Sequence, residues 1–123
     1  MVLTININTF DVKRIYIDTR SSSEIMYHNL YKKLDLPASQ VRAADMPIFS
    51  FSGNVVLPIT IAEVPVRIGL VKKIVEFIII NIDSPYNAIL GCGWSRQMRS
   101  VAFPYHQKIK FPSNHGIVEI SGK

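Results

Sequence analysis

In VLTININT the apolar residues Val2, Leu3, Ile5 and Ile7 are interleaved with polar ones, a period that suits a strand with one buried face. Phe10-Asp11 interrupts the run. VKRIYID resumes it through Val12, Ile15 and Ile17, so the two stretches read as a hairpin ending at Asp18. After Asp18 the period changes. Ser21, Ser22 and Ser23 offer N-cap hydroxyls, Glu24 suits a first helical turn, and Ile25, Met26, Leu30, Leu34 and Leu36 recur at helical spacing. Lys32 and Lys33 fall near the end of this segment and Pro37 stops it, which predicts the one clear helix of the first half.

PIFSFSG and NVVLPITIAEVPVRIG predict strands about a Gly53-Asn54 turn. Pro58 and Pro65 limit where ladder hydrogen bonds can form, so part of this stretch is expected to project from the sheet. Lys72-Lys73 marks a further turn, and VEFIIINI has the nearly continuous apolar, β-branched character of a strand buried on both faces. SPYNAILGCGW opens with a turn and runs into a short apolar stretch ending at Gly91. Residues 93–99 suit a short helix, and VAFPYHQKIKFP and GIVEISG suit closing strands. No repeat, linker or low-complexity segment divides the chain. Residues 1–123 therefore read as a single all-β domain with one or two short helices.

Composition narrows the partners. A hydrophobic fraction of 48% against 19% charged residues describes a folded chain. The apolar run around Ile78 to Ile82 is too short to span a bilayer, so no membrane association is expected. Cys92, alone, cannot form an internal disulfide. With no basic region leading into an apolar stretch at the N-terminus, it points to a reducing, cytoplasmic setting. The net charge of +5 comes from lysines scattered in short pairs without interleaved aromatics, which disfavours nucleic acid as a partner. His28, His106 and His115 lack metal-ligand spacing, and neither a metal nor another cofactor is expected.

Four ordered segments carry a more specific signal. IDTRSSSEIMY, with Asp18, Thr19, Ser21, Ser22, Ile25 and Tyr27, resembles the Asp-Thr-Gly-Ser-Ser turn of retropepsin-like aspartic protease domains in gypsy-type plant retrotransposon polyproteins, relatives of retroviral proteases. Phe51-Ser52-Gly53 is similar to that family's flap turn, and Val64-Pro65-Val66 to a later Leu-Pro-Val. SPYNAILG at 84–91 matches the second hallmark, an apolar-apolar-Gly motif here formed by Ile89, Leu90 and Gly91. YHQKIKFPSNHGIVEISG is similar to the family's last strands. The likeness spans nearly the whole chain in order.

The resemblance implies a closed β-barrel of the acid-protease fold acting on a peptide or polyprotein. One such turn per chain supplies half of a carboxylate pair, so a homodimer must complete the site. On this reading Asp18 is catalytic, Thr19 braces the pair across the interface, and Arg20 and Ser21 complete the active-site turn. Phe51, Ser52 and Gly53 belong to the flap and substrate groove, the flap spanning roughly residues 50–62. Asp11, Asp35, Asp45 and Asp83 lie at turns and read as surface residues. Whether the chain is free-standing or cut from a polyprotein stays open, although Met1 favours its own reading frame.

Several family positions differ. Arg20 replaces the glycine of the turn, Cys92 and Gly93 stand where the family has arginine and proline, and Ser50 and Thr60 occupy flap positions commonly held by glycine. A guanidinium on the floor of the site is expected to obstruct a peptide and to favour ionised Asp18, removing the proton that the pair must share. Loss of the arginine at Cys92 is expected to leave Glu24 without its partner, unless Arg20 replaces it. Two further readings stand beside a weakened endopeptidase: a non-catalytic peptide-binding or dimerisation module, and a basic nucleic-acid-binding β domain.

Overall fold

A computed structural model describes residues 1–44, 48–49, 55–56 and 58–122, the two short central stretches by their backbone alone. The strands and helices follow in chain order as β1 (Val2–Ile7), β2 (Phe10–Ile17), β3 (Ile25–Tyr27), α1 (His28–Leu34), β4 (Val41–Arg42), β5 (Ile48–Phe49), β6 (Val55–Val56), β7 (Thr60–Ile68), β8 (Val71–Ile80), β9 (Ala88–Leu90), α2 (Cys92–Met98), β10 (Val101–Phe103), β11 (Lys108–Ser113) and β12 (Gly116–Ser121).

Six strands form a closed ring in the order β1, β2, β9, β3, β8, β7 and back to β1, with β4 added outside β7. β10, β11 and β12 make a separate three-stranded sheet, and β5 pairs with β6. The sequence-based expectation of a closed, all-β barrel with two short helices holds. Alternation explains the interior: Leu3, Ile5 and Ile7 of β1, Val64 and Val66 of β7, and Val75, Phe77 and Ile79 of β8 all face inward and are almost fully buried. Ile109 and Phe111 of β11 join the same core, which fixes the three-stranded sheet against the barrel.

The β1–β2 hairpin forms as expected, but its turn lies at Asn8-Thr9, both at positive φ (49° and 78°), and Phe10 opens the next strand. The helix expected after Asp18 forms as α1, with Leu30 and Leu34 buried and Lys32 and Lys33 in its last turn, but it starts later than its spacing suggested. Ile25–Tyr27 form β3, paired in parallel with Ile78–Ile80 and antiparallel to Ile89 and Ala88. Helix α1 begins only at His28, and no side chain caps it. Bonding to two neighbouring strands and the complete burial of Met26 outweigh a helical spacing worth only tenths of a kcal/mol per residue.

Three other expectations shift. The β7–β8 turn falls at Gly69-Leu70, and Lys72-Lys73 lie inside β8. β8 is not buried on both faces, since Glu76 is exposed between Val75 and Phe77. Pro65 sits opposite Ile74 within a bonded strand, and its carbonyl accepts from the Asn8 amide at 2.9 Å. The expected 93–99 helix is α2, whose Trp94 is fully buried.

Candidate active site

Asp18 is the first residue beyond β2, and its position is set by the strand beside it. Ile15, Tyr16 and Ile17 pair in parallel with Ala88, Ile89 and Leu90. The Asp18 amide then donates to the Leu90 carbonyl at 3.0 Å. The chain reverses directly afterwards: the Ser21 amide donates to Asp18 O at 3.0 Å and the Arg20 amide to Asp18 Oδ1 at 3.1 Å. Ser21 Oγ donates to Ser23 O at 2.9 Å, and the Cys92 amide donates to Ser21 O at 2.8 Å. The turn is thus held by its own side chains and by the start of α2.

Gly91 is required by this packing. A Cβ there would stand 2.6 Å from both Ser21 O and Ser23 O and 2.8 Å from Glu24 Oε2. The turn and the apolar-Gly motif, distant in sequence, are in direct contact. Of that motif, Leu90 is buried in the core, while Ile89 faces a cleft.

This cleft has a volume of about 940 Å³ and is lined by Asp18, Thr19, Arg20 and Ser21 on one side and by Tyr27, Ile80 and Ile82 among its apolar walls. Asp83, expected at the surface, is exposed and sits on its rim. Thr19 and Arg20 are exposed and Asp18 is partly so. The expectation that the Arg20 guanidinium lies beside Asp18 is not met: among the described residues Arg20 makes no ion pair with Asp18 or with Glu24. Arg20 reaches the carboxylate through its main chain, and it is among the residues that line the cleft. Phe51, Ser52 and Gly53, with Ser50 and Asp45, lie outside the described residues, as does most of the expected flap.

Glu24 occupies a second cavity of about 480 Å³ with Glu63, Ile74, Glu76, Gly93 and Gln97. Its Oε2 is shielded from solvent and has no hydrogen-bond partner among the described residues. Burial raises its pKa above the usual carboxylate range. The backbone amides of Gly91 and Trp94 pull the other way, and Glu76 adds to the rise. Among the described residues Glu24 makes no ion pair. Cys92 is a partly exposed free thiol at the start of α2.

Asn87 has a positioning role that its place in SPYNAILG did not reveal. Its Nδ2 donates to Lys13 O at 2.6 Å, its amide to Arg14 O at 3.0 Å, and its carbonyl accepts from the Tyr27 amide. Arg14 has a φ of 58°, and the β1–β2 register slips between Leu3 and Ile5, so Asn87 secures an irregular stretch just before the active-site turn. Tyr86 adds a tilted contact with Tyr16, ring centres 4.9 Å apart. Among the described residues there is no group of three His, Cys, Asp or Glu side chains arranged to hold a metal ion, and no helix long and apolar enough to cross a membrane.

No family model and no curated protein matches the chain. Among 23 matching solved chains is the crystal structure of the retroviral protease-like domain of Ddi1 from Leishmania major. It superimposes with a TM-score of 0.66 at 16% identity, covering 98% of this chain and 93% of that one. At that identity the likeness speaks for architecture, and it agrees with the closed ring and two short helices. The chain has the retropepsin-like, acid-protease fold.

Proposed function

We propose that this chain is a retroelement-derived aspartic endopeptidase domain, of the gypsy-type plant lineage, in which two copies pair their Asp18 turns and Arg20 weakens the activity. The observation that carries this reading is the placement of Asp18. It lines the cleft of about 940 Å³, its main chain bonded to the strand that leads into Gly91. In a two-fold pair, one carboxylate accepts a proton from water while the other donates to the peptide carbonyl, and like charge at short range keeps one proton shared between them. Thr19 braces the two turns, and the apolar walls at Tyr27, Ile80, Ile82 and Ile89 receive substrate side chains. Phe51, Ser52 and Gly53 are assigned to the flap by the same reading. No metal or cofactor takes part.

Arg20 supports a second reading, a retropepsin-like peptide-binding or dimerisation module without catalysis. Arg20 is exposed and lines the cleft, and on this reading its guanidinium obstructs a peptide there. A peptide library incubated near pH 5 separates the two. Slow cleavage that Asp18→Asn abolishes and Arg20→Gly raises at least tenfold is the expected result. A chain that binds library peptides but cleaves none, with or without Arg20→Gly, has the second function. Sedimentation over a range of concentrations tests the dimer, which a monomer at all concentrations would rule out.

A further inference from the structure

Three oxygens converge beside the active-site turn: Ser21 O, Ser23 O and Glu24 Oε2 all lie within 2.8 Å of the point where a Cβ on Gly91 would stand. All three are acceptors when Glu24 is ionised. Ser21 O receives the Cys92 amide and Ser23 O the Ser21 hydroxyl, each carbonyl keeping a second lone pair, while Glu24 Oε2 receives nothing. Leaving a shielded carboxylate oxygen unmatched against carbonyl oxygens is costly, and one proton removes the conflict.

We propose that Glu24 is a positioning residue that works as a neutral acid, donating its proton to a main-chain carbonyl of the 21–23 segment and so bracing the Asp18 turn against Gly91. Burial and the carboxylate of Glu76 favour this state, against the backbone amides of Gly91 and Trp94, which favour the ionised form. Glu76 of β8 and Glu63 of β7 share its cavity, and from α2 come Gly93 and Gln97. Glu76 is itself engaged with Arg42 at 2.6 Å, and among the described residues Glu24 makes no ion pair. The raised pKa agrees with the geometry. The brace consequently tightens in acid and slackens towards neutrality, whether or not the chain cleaves peptides.

Glu24→Gln reproduces the neutral acid at every pH and is the natural test. Carbon-13 titration of the Glu24 carboxyl in the intact chain is expected to give a midpoint above the usual glutamate range. Protection of the Ser21 and Cys92 amides against hydrogen exchange is expected to fall several-fold between pH 5 and pH 8 in the wild type and to stay level in Glu24→Gln. A Glu24 midpoint at or below the usual glutamate range, or equal loss of protection in both proteins, overturns the proposal. Because neither readout uses cleavage, a chain without protease activity leaves the test intact.

Discussion

Glu24 and Arg20, an acid and a base four residues apart, form no ion pair among the described residues. The Asp18 side chain binds the Arg20 amide, while Glu24 lies against Gly91 and Gly93. A raised pKa means that the folded chain holds this proton more tightly than the unfolded one. The resulting stability is complete below the unfolded pKa and is lost as pH rises through the folded one. Cys92→Arg would place a cation within reach. A charge-assisted bond is worth about 1.5–3 kcal/mol, and a cation at a helix N-terminus costs about 0.3–1 kcal/mol. A net gain of ~1 kcal/mol at pH 8 is expected, with the slope of stability against pH reversed because a paired carboxylate must stay ionised. Thermal unfolding at pH 5 and pH 8 measures both, and an unchanged slope would contradict the assignment.

At the scale of elements, Asn87 links three strands through one side chain and its own backbone. Asn87→Ala removes only the bond to Lys13 O, so a loss of about 1–2 kcal/mol is expected, read as a lower urea midpoint with unchanged slope. Legibility in the sequence divided along similar lines. Strands with a strict two-residue period, such as β1 and β7, could be read directly because alternation records a single buried face. β3 could not, since its three residues are extended only through pairing with β8 and β9, partners more than fifty positions away. Asp18 and Gly91 were legible as motif residues. Their contact was not, nor was the bond from the Arg20 amide to the Asp18 carboxylate, which depends on a local turn. Asn87 was visible as a letter in SPYNAILG, but its bond to Lys13 crosses between strands.

The whole molecule depends on how the ring is closed. Nine residue pairs join β7 to β8 through a local hairpin, whereas two, Asn6 with Arg67 and Ile7 with Val66, join β1 to β7. Those two pairs enclose a loop of roughly 60 residues, so their contacts carry a loop-closure cost that the hairpin avoids. The Asn8 amide, bonded to Pro65 O at this seam, is expected to exchange by a smaller opening than the amides along β7 and β8. Native-state exchange in low denaturant checks this, and equal opening energies would show a uniformly cooperative barrel. The same inequality bears on time as well as stability. Hairpins form in microseconds, and a barrel sealed by its first strand waits on the slowest search in the chain. Pulse labelling during refolding should find β7–β8 protected early and the seam protected last. Until then β1 and the edge of β7 remain open, and at high concentration each is free to pair with another chain.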